Sequence, residues 1–154
     1  MELKTKVQAE NGKQELVITR EFNLPVTLLF KAYEEPEFIA QWMGTNVLKM
    51  ESAKHGGYQF ETTDQNGNVT FKANGVHHEF IPNEKITRTF EMENAPFGVQ
   101  LELLRFEPLT ETTSRLTIHS IYESVQKRDK ILQLPFAQGL NWAHNRLEEV
   151  MANK

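Results

Sequence analysis

The C-terminal stretch from Leu134 to Met151 constrains the fold more than any other part of the sequence. Pro135 suits the start of a helix, where its missing N–H would have no partner anyway. Apolar residues then recur at steps of four, three, four and three, which places them on one helical face: Phe136, Leu140, Ala143, Leu147 and Val150. A helix of this length takes most of its stability from packing. Another surface must therefore cover the stripe.

Most of the chain between Leu16 and Tyr122 indicates β-strands that could supply this surface. Alternating apolar residues are separated by short turn sequences such as Asn66-Gly67, which is typical of an antiparallel meander. Two short helices follow the first strand, and Gly75 indicates a bulge or bend. We therefore predict an α+β fold, with a curved antiparallel sheet of about six strands around the long helix. We expect one domain over residues 1–154, with residues 1–13 as a flexible arm or an edge strand.

Composition and charge narrow the classes of partner. The formal net charge of −4 and the pI near 5.8 argue against nucleic acids and anionic membranes. No apolar run approaches the ~18 residues of a membrane span, and no signal peptide is recognisable. The sequence thus predicts no membrane insertion and a cytoplasmic location. We interpret the one basic run, residues 127–130, as a solvated helix face.

The sequence offers little for catalysis or metal binding. Without cysteine there is no disulfide, thiolate ligand or cysteine nucleophile. His77 and His78 are neighbours on a predicted strand, so they point to opposite sides and cannot clamp a metal together. No nucleophile elbow or phosphate-binding loop occurs. We expect no metal, no cofactor and no identifiable catalytic residue.

His144 and Trp142 on the last helix do not belong to the apolar stripe, and their positions suggest different roles. His144 lies beside Leu140 and Leu147, at the border of the apolar stripe, and is either a structural histidine or a polar contact for a ligand. Trp142 lies about 200° around the helix from Leu140. We therefore expect Trp142 to pack against a loop or the two small helices.

Several segments, in the right order, resemble a known family. They are residues 18–22, Pro25, 30–33, 35–37 and 41–44, followed by Gly56-Gly57, 82–86, 89–90 and the closing Trp142 and Leu147. The pattern is similar to that of proteins related to the activator of heat shock protein 90 ATPase, in the START-like, polyketide-cyclase-like superfamily. The resemblance implies a helix-grip fold, in which the sheet grips the C-terminal helix. It also implies a deep cavity that takes lipids, sterols, polyketides or aromatic natural products.

Three functions remain open on this basis. The favoured one is binding of a small apolar or aromatic molecule, similar to a lipid, a polyketide or a flavonoid, between the sheet and the last helix. The second is a cyclase or dehydratase in which a histidine or Glu102 moves a proton. The third is a chaperone-associated module, although no residue of the chain supports a chaperone partner. The expected ligand-binding residues are Trp42, Phe60, His77, Phe90, Leu101, Leu103, Phe136, Leu140 and His144.

Overall fold

The computed structural model describes residues 3–154, which form eight strands and four helices. The strands are β1 (Lys6–Gln8), β2 (Glu15–Phe22), β3 (Asn46–Met50), β4 (Gly57–Thr63), β5 (Val69–Ile81), β6 (Lys85–Met92), β7 (Val99–Pro108) and β8 (Ser114–Ile121). The helices are α1 (Val26–Glu34), α2 (Pro36–Met43), α3 (Val125–Leu132) and α4 (Phe136–Ala152). None of the described helices is long and apolar enough to cross a membrane.

All eight strands belong to one antiparallel sheet in the order β1-β2-β8-β7-β6-β5-β4-β3. The α+β prediction is confirmed, whereas the strand count of about six is too low. The difference lies at the two edges of the sheet, which β1 and β3 form. β1 has only three residues, and β3 is mostly exposed, so neither shows the clear alternation that marks the central strands. The predicted arm at the N-terminus thus contains an edge strand.

One face of the sheet, here called the inner face, is buried beneath α4. On β8 every second residue is buried, from Ser114 through Leu116 and Ile118 to Ser120. Within α4, Leu147 is fully buried, and the rest of the predicted stripe packs against the same core. The sequence prediction of a long helix with one covered apolar face is therefore confirmed.

The backbone of α4 is tied mainly to its flanks. Its principal backbone neighbours are α2 and α1, and not the strands below it. Arg146 Nε donates to the carbonyl of Gln41 in α2 at 2.8 Å. On the opposite flank, the backbone N–H of Thr5 donates to Asn141 Oδ1 at 3.0 Å. A helix held from the sides can stand away from the sheet along part of its length.

Two sequence interpretations of surface residues are wrong. Arg128, in the basic run that we expected in solvent, is buried because its guanidinium donates to the carbonyls of Glu10 and Glu15 and so joins α3 to the N-terminal segment. Trp142 does not pack against a loop or a small helix. It is 63% exposed, with the Arg146 guanidinium carbon 6.0 Å from its ring centre.

Gly75 permits a close approach between strands, and the bulge lies elsewhere. The β5–β6 register shifts between His77 and Glu79. At Gly75, a Cβ atom would lie 2.1 Å from the carbonyl oxygen of Thr89 and 2.4 Å from the hydroxyl of Tyr58. That hydroxyl donates to the same carbonyl. Glycine is therefore required for Tyr58 to lie across β5.

We expect Gly75→Ala to lower the free energy of unfolding by about 1–3 kcal/mol, because strand backbone or Tyr58 must move to admit the methyl group. Gly139→Ala is the matched control. An added Cβ there meets nothing within 4 Å, and the residue lies inside α4. It should raise stability by about 0.5–1 kcal/mol through helix propensity. Urea unfolding measures both changes, and a neutral Gly75→Ala would contradict the packing described here.

Candidate functional site

A cavity of about 430 Å³ lies between the inner face of the sheet and α4. Its size falls within the ~300–1,000 Å³ range of small-molecule sites. Gly44, at the C-terminal end of α2, belongs to its lining and is exposed, which places an opening to solvent there. Most of the lining side chains are apolar: Ile18, Trp42, Met43, Phe71, Phe90, Met92, Ile118, Ile131, Phe136, Leu140 and Ala143.

Local structure fixes the aromatic wall near α2. Gly44 adopts a left-handed conformation with φ of 64°, which ends α2 directly after Trp42 and Met43. The Trp42 indole N–H donates to the carbonyl of Ala32 at 2.8 Å. Its ring centre lies 5.2 Å from that of Tyr33. Trp42 is thus held in one orientation at the edge of the cavity.

The sheet side of the cavity carries an ion pair. Arg88 Nε on β6 donates to Glu102 Oε1 on β7 at 2.9 Å, and both side chains are 12% exposed. Gln100 Nε2 donates to the other carboxylate oxygen at 2.8 Å. The guanidinium carbon of Arg88 also lies 5.2 Å from the ring centre of Tyr58. Most of the pair's hydration is lost, so these hydrogen bonds and the ring contact must compensate for it.

Four of the nine expected ligand-binding residues line this cavity. They come from three different elements: Trp42 from α2, Phe90 from β6, and Phe136 and Leu140 from α4. The fold therefore brings these four residues around one space. Whether they contact a ligand stays a prediction.

Leu101 and Leu103 do not line the cavity, and their expected placement is corrected. Leu101 is 36% exposed on the outer face of β7. The inner face of this strand carries Gln100 and Glu102, followed by the buried Leu104 and Phe106. The apolar residues at the start of β7 thus point outward, because the inner positions belong to the polar groups of the cavity.

Phe60 and His77 are buried beside the cavity and are not part of its lining. Phe60 packs with Ile39 and Tyr58 in a separate cluster. His77 Nδ1 lies 3.0 Å from the carbonyl oxygen of Glu51 and so carries the proton. Burial, and then the charge of Arg88, lower the pKa of His77 to about 4. His77 is therefore neutral near pH 7 and anchors the loop before β4.

His144 faces the N-terminal segment, although it neighbours the cavity-lining residues on α4. Arg20 donates to Thr5 Oγ1 at 3.2 Å, and the same hydroxyl forms a second hydrogen bond with His144 Nδ1 at 2.8 Å. Burial, and then the charge of Arg20, lower the pKa of His144 to about 3. The structural interpretation of His144 describes this geometry, because the ring links α4 to Thr5.

Comparison with known proteins identifies the family of this chain. The family model described as Activator of Hsp90 ATPase homolog 1-like protein matches residues 23–152. The chain belongs to this family. A search of curated proteins found no match.

Solved structures agree with this assignment at the level of the fold. A crystal structure from Rhodobacter sphaeroides has 19% identity and a TM-score of 0.84, covering 97% of this chain and 100% of that one. A solution structure from Arthrobacter aurescens has 19% identity and a TM-score of 0.83, covering 97% and 92%. A crystal structure from Mycobacterium smegmatis has 18% identity and a TM-score of 0.82, covering 95% of each chain. These likenesses show the helix-grip fold.

In this member of the family, sequence reasoning missed several polar residues of the cavity: Tyr33, Arg88, Gln100 and Ser120. The register gives the signal that could have found two of them, Arg88 and Ser120. Arg88 lies opposite Glu102, and Glu102 lies opposite Ser120. Polar residues at facing positions of three adjacent strands indicate a shared site on one face.

Elsewhere in the described part of the chain, residues 3–154, no comparable site is found. Among residues 3–154, no three histidine, aspartate or glutamate side chains are grouped so as to hold a metal ion. A surface depression of about 550 Å³ crosses β3 to β6, but three of its polar side chains already bond to one another. Asn74 Nδ2, for example, donates to Glu91 at 3.1 Å and to Glu93 at 2.9 Å. The cavity under α4 is the stronger candidate.

The buried histidines predict that mild acid destabilises the fold. In the unfolded chain both rings take up protons near pH 6.5, whereas the folded chain resists until about pH 4 for His77 and about pH 3 for His144. Stability is therefore full above about pH 6.5 and falls as the pH drops, by about 1.4 kcal/mol per pH unit for each histidine.

Urea unfolding at pH 7.5, 6.0 and 5.0 measures this dependence. His144→Asn should remove about half of the slope, because an amide can still hydrogen-bond to the Thr5 hydroxyl without taking a proton. His78→Asn, at an exposed position of β5, is the control and should keep the full slope. An unchanged slope in His144→Asn would contradict the assignment.

Proposed function

We propose that this protein binds a small apolar or aromatic molecule in the cavity beneath α4 and releases it unchanged. The observation that carries the proposal is the cavity itself. A volume of about 430 Å³ remains between sheet and helix, with Trp42, Phe90 and Phe136 in its wall. Protein interiors are otherwise close-packed. A molecule that replaces water against these rings gains the free energy of apolar burial.

The contacts of the ionisable groups favour binding over catalysis. An enzyme of the cyclase or dehydratase type needs a group that can move a proton at the substrate. His77 and His144 lie outside the lining, and each is engaged by backbone carbonyls or by Thr5. Both carboxylate oxygens of Glu102 already accept hydrogen bonds from Arg88 and Gln100. Glu102 would have to give up one of these bonds to act as a base.

A chaperone partner, the cellular location and the cofactor content of the protein depend on properties outside this cavity. The description of the family refers to an activator of the Hsp90 ATPase, and the chaperone-associated module stays a prediction on that ground alone. The cytoplasmic location and the absence of cofactors stay predictions as well.

Leu140→Trp tests the proposal by filling the cavity. The probe is N-phenyl-1-naphthylamine, an uncharged dye whose fluorescence rises in apolar surroundings. We expect the wild type to bind it with saturation and Leu140→Trp to lose that binding. The stability lost by the variant should stay below the ~1–3 kcal/mol typical of overpacking a filled core.

Leu134→Trp is the matched control. Leu134 is 50% exposed and lies outside the cavity lining. The same added indole should therefore leave dye binding intact. Equal saturable binding by wild type and Leu140→Trp would contradict the proposed site.

A further inference from the structure

The cavity combines apolar walls with one polar end, and this combination narrows the chemistry of its ligand. Arg88, Glu102 and Ser120 occupy facing positions on β6, β7 and β8, so they form one row across the inner face. Tyr33 reaches the same end from α1, with its ring centre 5.9 Å from the guanidinium carbon of Arg88. A ligand can accept hydrogen bonds only from those polar groups whose donors are not already used within the protein.

The hydrogen bonds of Arg88 leave most of its donors unused. A guanidinium carries five N–H groups. Within the described part of the chain, Arg88 donates only through Nε, to Glu102. Its two terminal nitrogens have no hydrogen-bond partner among residues 3–154, although the side chain is only 12% exposed and lines the cavity. These nitrogens are not sealed from the cavity, so their N–H groups are available to an acceptor that enters it.

Tyr33 supplies a second unused donor at the same place. The residue is 4% exposed and lines the cavity. Its hydroxyl has no hydrogen-bond partner among residues 3–154 and is not sealed from the cavity. Burial raises the pKa of Tyr33 above its usual range, so the hydroxyl keeps its proton at neutral pH. Arg88 and Tyr33 thus both offer unused donors to the same cavity.

The charge of the ion pair decides what kind of acceptor fits. Glu102 neutralises Arg88, and both of its oxygens are already engaged. A ligand carboxylate would add a second negative charge beside Glu102 in a poorly solvated site, where like charges repel strongly. An uncharged carbonyl oxygen accepts the same hydrogen bonds without that repulsion.

We propose that the cavity takes an uncharged aromatic molecule bearing a carbonyl oxygen, and that Arg88 and Tyr33 donate hydrogen bonds to this oxygen. The aromatic body lies against Trp42, Phe90 and Phe136. This inference rests on the proposed binding function and adds to it the polar group that orients the ligand. Arg88 and Tyr33 determine specificity, whereas the apolar wall supplies affinity.

Three probes of nearly the same shape separate the possibilities. 2-Acetylnaphthalene carries the uncharged carbonyl, 2-isopropenylnaphthalene replaces that oxygen by carbon, and 2-naphthoate carries a charge. We expect the ketone to bind about tenfold more tightly than the alkene, because hydrogen bonds to charged donors contribute more than neutral ones. Naphthoate should bind more weakly than the ketone. Titrations followed by amide chemical shifts give the three dissociation constants.

Tyr33→Phe is the sharpest variant, because it removes only the hydroxyl. It should reduce the preference for ketone over alkene by about threefold to tenfold and leave alkene binding unchanged. Removing Arg88 alone would strand Glu102, so the second variant is Arg88→Met/Glu102→Leu, which replaces the pair by apolar side chains. It should abolish the preference. The control is Arg115→Met/Glu21→Leu, at a more exposed ion pair, and it should keep the preference.

The outcomes distinguish this inference from the proposed function. If the ketone and the alkene bind equally well to the wild type, or if Tyr33→Phe and the double variant keep the wild-type preference, the carbonyl inference is wrong and the binding function stands. Tighter binding of naphthoate than of the ketone overturns the uncharged assignment. If none of the three probes binds, both proposals fail.

Discussion

The structure depends on how α4 is held over the sheet. Its apolar stripe must be buried, yet its polar side chains are attached at the flanks. Asn141 and His144 bind Thr5, Arg146 binds the end of α2, and Glu148 accepts from the backbone N–H of Asn23 at 3.0 Å. One flank contact in nearly every turn sets the height of the helix above the strands. The cavity is the space that this attachment leaves open.

The inner face beneath α4 is not a uniform apolar surface. Arg88, Glu102 and Gln100 form a hydrogen-bonded group on this face. Removal of one partner from a buried ion pair typically costs ~3–5 kcal/mol. Such a group does not improve packing, and an apolar replacement could be equally stable. Its place at one end of a cavity makes recognition of a ligand's polar atom the simpler explanation.

Much of the fold follows from patterns that are visible in the sequence. The α4 stripe predicts both the helix and its covered face, because steps of three and four fit only a helix. Glycine commonly ends a helix, so Gly44 in the sequence marks the end of the second short helix, and α2 does end there. Burial of Arg128 could not be foreseen, because the accepting carbonyls of Glu10 and Glu15 come from a distant part of the chain.

The site itself was only half predictable. Phe136 and Leu140 belong to the helical stripe, and their position follows from it. Leu101 was misplaced because an alternation rule assigns the apolar residues of a strand to the covered face. In β7 the covered face carries Gln100 and Glu102, and only the neighbouring strands reveal why. A buried polar group becomes recognisable when its partners across the strands are known, which is tertiary information.

The central claim is that a small apolar molecule occupies the space between sheet and α4. The most direct measurement is the set of intermolecular nuclear Overhauser effects from bound 2-isopropenylnaphthalene to methyl groups in isotope-labelled protein. The account predicts contacts to the cavity methyls of Ile118, Ile131 and Leu140. Contacts confined to exposed methyls, such as those of Leu48 and Leu134, would contradict it.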